Sequence, residues 1–163
     1  MKTFSTPGEL VRSVGTKLGK SSYQPVLQHD IDVFAALTGD RQWIHTDPLR
    51  ARSGPFGGPI AHGMYLISLV LPMLAEVYTV DGVSLVLNKG FDRVRFASPV
   101  AVGSRVRLSA DLKSAAPRPR GFTEAVIATA LEVAGQEWPV CTADLRLLYQ
   151  EEEVAQEWLP LAS

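Results

Sequence analysis

The sequence predicts an α+β fold in which a curved antiparallel sheet wraps around one long apolar helix. Two observations carry this prediction. Residues 60–78 are apolar on nearly all sides, as expected for a helix that is enclosed by other structure. From Val83 onward, apolar and polar residues alternate with a period of two, which is typical of antiparallel strands with one solvated face. Because the helix precedes the strands, we expect the sheet to supply the apolar surface that covers it.

Composition indicates one globular domain over residues 1–163. The chain is 46% hydrophobic and 20% charged, and its formal net charge of -1 favours neither nucleic acid nor an anionic membrane as a partner. The single cysteine, Cys141, and the lack of a signal-type apolar run at the start predict the cytoplasm. The apolar run at 64–75 is too short to span a bilayer. An acidic, solvated tail is expected from about residue 150.

Turn and capping residues predict short elements before the long helix. A capping box at 6–9, with proline at the first helical position, predicts a helix over 7–14. Residues 17–27 contain glycine, serines and proline and predict an irregular strand.

Two further short helices are predicted by their caps. Asp30 is the expected N-cap of a helix over 31–38 that ends at a glycine. Thr46 or Asp47 is expected to cap another helix, which begins with a proline at position 48 and ends near residue 54.

The second half of the chain is predicted to hold the long helix and the sheet. Pro72 should kink or divide the helix over 60–78. Five strands are predicted, over residues 83–89, 91–97, 104–112, 122–133 and 138–149. Residues 115–121, which include two prolines, are expected to form a hairpin connection.

The chemistry is expected on the loop between the two short helices. Asp40 and His45 lie five residues apart there, which can aim two proton-transfer groups at one point. A position close to a helix start favours the neutral imidazole, which can accept a proton. Alone, Asp40 could be a turn residue and His45 a capping or surface residue. Their pairing, followed by a Gly/Pro-rich break and an apolar helix, favours a functional site.

Three segments then resemble a known family. They are residues 34–48 (FAALTGDRQWIHTDP), 56–64 (FGGPIAHGM) and 88–100 (NKGFDRVRFASPV). Together they resemble the MaoC-like dehydratases, including the (R)-specific enoyl-CoA hydratases, which share the hot-dog fold. The resemblance covers most of the chain, from Tyr23 to Tyr149, although many members of the family have Asn-Pro where this chain has glutamine and tryptophan at 42–43.

The resemblance implies reversible hydration of 2-enoyl thioesters to (R)-3-hydroxyacyl thioesters. Asp40 and His45 would hold and deprotonate the water, and either residue could perform each proton transfer. The backbone amide of Gly63, at the start of the long helix, would stabilise the thioester oxygen as it becomes negative. Trp43 is expected to alter the shape of the acyl pocket rather than the chemistry.

Further substrate contacts follow from the same segments. His62 is expected to shape the turn or the pocket wall. Ser68 either supports the catalytic pair or bonds back to its own helix. Asn88 is expected to line the active site. Arg93 and Arg95 are the best candidates for phosphate contacts among eight basic residues between positions 89 and 120, although an ordinary solvated strand face would look the same.

No metal or redox cofactor is expected, because the single cysteine sits in a strand and the three histidines lie on separate elements. Coenzyme A or phosphopantetheine is part of the substrate, so the expected partner is an acyl-CoA or acyl-carrier-protein thioester. The resemblance also implies a homodimer with one continuous sheet. Three alternatives stay open: a dehydratase of carrier-bound acyl or polyketide intermediates, a hot-dog thioesterase, and a non-catalytic acyl-thioester binding module.

Overall fold

The structure is a computed structural model that describes residues 1–152. The first half of the chain forms β1 (Lys2–Phe4), α1 (Pro7–Arg12), β2 (Lys17–Lys20), β3 (Gln24–Pro25), α2 (Gln28–Thr38), α3 (Trp43–Thr46), α4 (Pro48–Arg52), α5 (Gly63–Ser68) and α6 (Val70–Ala75). The second half forms β4 (Tyr78–Val80), β5 (Val83–Phe96), β6 (Arg105–Arg118), β7 (Phe122–Val133) and β8 (Cys141–Glu151).

An antiparallel sheet with the order β2-β6-β7-β8-β5 forms the body of the molecule, and β3 pairs with β6 beside β2. Residues on β6 alternate between buried and more exposed, so that Leu108 and Leu112 face the core while Ser109 and Asp111 face outward. The core side packs against α5 and α6, whose Leu66, Val70 and Leu74 belong to the same buried cluster. The structure therefore confirms the predicted α+β class.

The central helical segment is two helices rather than one. The helices α5 and α6 are six residues each and meet at Leu69, so the prediction of one helix over 60–78 is wrong in length. Pro72 is the third residue of α6, where its missing N–H is not needed, but its ring would clash with the carbonyl of Ser68 in a continuous helix. The predicted division by this proline is confirmed. None of the helices within residues 1–152 has the length and apolarity that crossing a membrane requires.

The short helices differ from the predictions at their starts. The first one ends at Arg12. The next begins at Gln28, so Asp30 lies in its first turn and the predicted Asp30 cap is wrong. Asp47 does cap α4, since its Oδ1 accepts a hydrogen bond from the backbone N–H of Arg50 at 3.0 Å. The additional turn α3 holds His45 and was not predicted, because four residues are too few to show a period.

The strands are longer than the alternation suggested. The two strands predicted on either side of residue 90 are one strand, β5, whose register shifts at Gly90, where φ is 135°. Residues 115–118 belong to β6, so the predicted hairpin connection is shorter. Trp138 precedes β8. Of the expected acidic tail, Glu151 ends β8 and Glu152 is exposed, while the rest lies outside the described residues.

Candidate active site

Three residues from separate elements converge at one end of the helical layer. Asp40 follows Gly39, the C-cap residue of α2, which has a left-handed φ of 82°. His45 lies in α3, and His62 is the residue that precedes α5. A carboxylate oxygen of Asp40 and one ring nitrogen from each histidine lie within 4.8 Å of one another. The fold therefore brings the two predicted catalytic residues together, with His62 beside them.

The orientation of the His45 ring is fixed by a backbone carbonyl. His45 Nδ1 lies 2.7 Å from the carbonyl oxygen of Ile60. A carbonyl oxygen can only accept, so Nδ1 carries a proton in this arrangement and Nε2 of the neutral ring keeps its lone pair. The Ile60 N–H in turn donates to the Ile44 carbonyl at 3.0 Å, which joins the two segments. The buried His45 can therefore present Nε2 as a base.

His62 connects the loop of Asp40 to the ring of His45. Its Nε2 lies 2.9 Å from the backbone oxygen of Asp40, and its ring stacks on His45 with centroids 3.8 Å apart. The Phe34 ring also contacts His62, with ring centroids 5.1 Å apart. His62 is 2% exposed, and its Nδ1 is buried without a hydrogen-bond partner among residues 1–152.

The expectation of no metal site depended on the histidines lying apart. The fold instead brings His45 and His62 into contact, with Asp40 close to both. These residue types can ligate a transition metal. However, His45 Nδ1 and His62 Nε2 are each hydrogen-bonded to a backbone oxygen. Each ring therefore has only one nitrogen left that could ligate a metal.

A cavity of about 340 Å³ lies between His45 and the start of α5. Gly63, Leu66 and Phe96 contribute to its wall. As the first residue of α5, Gly63 has a backbone N–H without an acceptor inside the helix. A Cβ at position 63 would lie 2.9 Å from Cζ of Phe96, which is closer than two carbons tolerate. Glycine is therefore required for Phe96 to approach this end of the helix.

Trp43 belongs to the same short helix as His45, whereas Ser68 ends α5 and lines a separate cavity together with Phe34 and Tyr65. The Trp43 ring, on the same helical turn as His45, packs under the Arg50 guanidinium at 4.5 Å and against Gly54. Ser68 donates its hydroxyl to the Tyr65 carbonyl at 2.7 Å. This contact confirms the alternative in which Ser68 bonds back to its own helix. Its role in substrate binding stays a prediction.

Asn88 lies in β5 and does not line the cavity beside His45. It lines a second cavity together with residues at the end of α6, including Leu74. Its Oδ1 accepts a hydrogen bond from the Gly90 N–H at 2.9 Å. Asn88 and His45 therefore line different cavities, which have no lining residue in common.

Arg93 and Arg95 lie on the outer face of the sheet. Asp144 is paired in register with Asp92 and Ala128. Its neighbour Leu145 is fully buried in the core, and because successive side chains of a strand face opposite sides, Asp144 faces the outer side of the sheet. Arg93 Nε donates to Asp144 Oδ2 at 2.7 Å, and both arginines line a cavity of about 360 Å³ on that face. Within one chain, the structure does not bring these arginines together with Asp40 and His45.

Two residues of the site were missed by sequence reasoning. Ile60 acts through its carbonyl oxygen, and a backbone contact leaves no signal in residue type. Phe96 belongs to the third family-like segment and could have been found there. Its fit against Gly63 depends on two segments that are far apart in sequence.

Both the sequence and the fold of this chain resemble those of known proteins. A family model described as a MaoC like domain matches residues 9–134. The 3-hydroxyacyl-thioester dehydratase Z of Mycobacterium tuberculosis is 41% identical over 149 residues, which are 91% of this chain and 99% of the relative. The R-hydratase from Pseudomonas aeruginosa superposes with a TM-score of 0.68 at 25% identity, over 85% of this chain and 83% of that one. An (R)-hydratase from A. caviae, involved in PHA biosynthesis, superposes with a TM-score of 0.66 at 26% identity, over 82% of this chain and 94% of that one.

Proposed function

Because this chain belongs to the MaoC-like dehydratase family and has its hot-dog fold, we propose that it interconverts 2-enoyl and (R)-3-hydroxyacyl thioesters by adding or removing water. It is therefore a hydro-lyase. The observation that carries the proposal is the convergence of an Asp40 carboxylate oxygen and a His45 ring nitrogen within 4.8 Å. That spacing suits two groups that hold one water molecule between them.

In the hydration direction, His45 Nε2 takes a proton from the water while the hydroxyl oxygen bonds to Cβ of the enoyl group. The electron pair of the double bond moves toward the thioester carbonyl, whose oxygen becomes negative. The Asp40 carboxylate accepts the other hydrogen of the water in a hydrogen bond and so orients it. The protonated His45 then delivers its proton to Cα from the same face, which returns the ring to its neutral form. Dehydration follows the reverse order.

The negative oxygen of the thioester needs its own donor. The N–H of Gly63 is available at the start of α5, and the cavity there is shared with His45. Because α5 has only six residues, we assign the effect to this single N–H rather than to a helix dipole. Loss of one such donor typically costs about 10²–10³-fold in kcat.

The proposed substrate handle is the phosphopantetheine of coenzyme A or of a carrier protein, with no other cofactor. Arg93 and Arg95 stay our candidates for phosphate contacts. They lie on β5, so they could serve the active site of a second subunit that pairs along that strand.

A homodimer is proposed from the exposed edge of β5. This strand is the last in the sheet order and pairs with β8 on one side, so its other edge is open within the described chain. Its exposed apolar side chains are Leu85, Val86, Leu87, Val94 and Phe96. An apolar strand edge of this kind favours pairing with another strand, here from a second copy.

The cytoplasm is the proposed compartment. Cys141 is the single cysteine of the chain and is free and buried, so no intrachain disulfide calls for an oxidising compartment.

The proposed function is tested with crotonyl-CoA, by following the loss of enoyl-thioester absorbance when the protein is added. The Asp40→Asn and His45→Gln variants should each lose activity by at least ~10²-fold. Asp81→Asn and His29→Gln are matched controls at exposed positions and should keep wild-type rates. Absence of hydration in the folded wild type with CoA and carrier-bound substrates would refute the proposal, and release of free thiol instead would indicate a thioesterase.

A further inference from the structure

The backbone carbonyl oxygen of His45 is bound by a side chain from another helix. The residue three positions on is Pro48, which has no N–H, and α3 ends at Thr46, so α3 itself supplies no donor to this oxygen. The donor is Nε2 of Gln28, at a distance of 2.7 Å. Gln28 is the first residue of α2, so this hydrogen bond joins α2 to α3 across 17 positions of sequence.

The orientation of the Gln28 amide group is fixed by two acceptors. Its Nε2 also donates to Oδ1 of Asp32 at 2.8 Å, so both amide hydrogens are used. If the amide were turned over, Oε1 would face a carbonyl oxygen and a carboxylate oxygen, which can only accept. Oε1 is buried and has no hydrogen-bond partner among residues 1–152. The side chain thus keeps its contact with His45 although one buried acceptor stays unpaired, and such departures from the usual rule are expected at functional sites.

The bond from Gln28 adds a third contact to the two that already hold His45. The backbone N–H of His45 donates to the Gln42 carbonyl at 3.0 Å, and Nδ1 of its ring lies 2.7 Å from the Ile60 oxygen. Of these three contacts, the bond from Gln28 comes from α2, the helix whose C-cap residue immediately precedes Asp40. This bond therefore connects the position of His45 to the helix that carries Asp40 at its end.

We propose that Gln28 is a positioning residue, which sets the distance between His45 and Asp40 through the backbone oxygen of His45. The inference rests on the proposed function, in which these two residues hold one water molecule. Gln28 does not line the cavity beside His45, so it acts on the imidazole through the backbone and not by contact with the thioester. A shift of about 1 Å in the position of a catalytic group can lower a rate by about 10²-fold.

The test replaces Gln28 with methionine, an unbranched helix former of similar length that cannot donate a hydrogen bond. Because the contacts to the thioester are unchanged, kcat for crotonyl-CoA should fall by roughly 10- to 10²-fold with little change in KM. Gln28→Glu should lower kcat as well, since its carboxylate has the same shape and no hydrogen to donate at neutral pH. Gln24→Met is the matched control, because Gln24 also donates through Nε2, but to Glu76 at 2.9 Å, and it should keep the wild-type kcat and KM.

A spectroscopic measurement separates positioning of His45 from general loss of structure. In protein with isotope-labelled histidine, the His45 Nδ1–H that is bound to the Ile60 oxygen should give a protected imidazole N–H signal in NMR spectra, identified by its loss in His45→Gln. This signal should shift and exchange faster with solvent in the Gln28 variants, and it should be unchanged in Gln24→Met. Melting temperatures show that each variant is folded.

An unchanged Nδ1–H signal in folded Gln28→Met overturns the inference, and so does a wild-type kcat in this variant of an active enzyme. If Gln28→Met does not fold, Gln28→Glu decides by the same two measurements. If the wild type hydrates no enoyl thioester but the Nδ1–H signal changes in the folded Gln28 variant and not in Gln24→Met, only the proposed function is refuted, and the positioning of His45 by Gln28 stands.

Discussion

Replacing Gly63 with alanine should lower kcat/KM for crotonyl-CoA by roughly 10²-fold, because the new methyl group would collide with Phe96. The added Cβ would lie 2.9, 3.0 and 3.1 Å from three carbons of the ring, whereas carbon atoms pack best at about 3.5–4.0 Å. The ring or the start of α5 must therefore move by roughly 0.5–1 Å. Misplacement of a positioned group by about 1 Å can cost about 10²-fold.

The same collision should lower the free energy of unfolding by about 1–3 kcal/mol, as overpacking usually does. Steady-state hydration rates and thermal melting measure the two effects separately. Phe96→Leu in the Gly63→Ala background relieves the contact and should restore much of the rate, while Phe96→Leu alone serves as the control. Unchanged kcat/KM in folded Gly63→Ala would refute the reasoning. The position of the backbone N–H at residue 63 would then not depend on the close contact with Phe96.

Further predictions concern stability and assembly. Burial raises the pKa of Tyr78 above its unfolded value of 10 to about 12. Its contribution to stability is therefore complete below pH 10 and should be lost as the pH rises from 10 to 12. The free energy of unfolding in urea should show this loss in the wild type and little of it in Tyr78→Phe/Tyr149→Phe. An equal pH dependence in the two proteins would contradict it. Asp144→Asn removes the carboxylate that binds Arg93 and should cost about 1–3 kcal/mol in urea unfolding; an unchanged midpoint would contradict the pairing. Leu87→Lys on the β5 edge should abolish the proposed homodimer, so that the variant is monomeric in light scattering after size-exclusion chromatography, and a dimeric variant would argue against this interface.

Local signals were sufficient to predict where the loop of the proposed catalytic residues begins and ends. Gly39 ends α2 in a left-handed conformation, and Asp47 caps α4, as their residue types suggested. These two boundaries enclose Asp40 and His45 in one short segment. The role of His62 was harder to predict, because its ring contacts the backbone oxygen of Asp40 across 22 positions of sequence.

Irregular backbone limited the rest of the prediction. Arg93 has a positive φ of 52°, and the register shifts between Asp92 and Arg95, so alternation along β5 does not show which face the arginines occupy. The division of the central helix followed from Pro72, but its position at Leu69 depends on how α5 and α6 pack. The single-domain organisation of residues 1–163 stays a prediction.

The most direct test of the catalytic account is a double-mutant cycle on Asp40 and His45. Hydration of crotonyl-CoA is measured for Asp40→Asn, His45→Gln and the combined variant, with melting temperatures to show that each is folded. If the two residues act together on one water molecule, the combined variant should lose about as much kcat/KM as the less active of the two single variants, roughly 10²–10⁴-fold. Losses that multiply in the combined variant, or full activity in either single variant, would contradict this shared role.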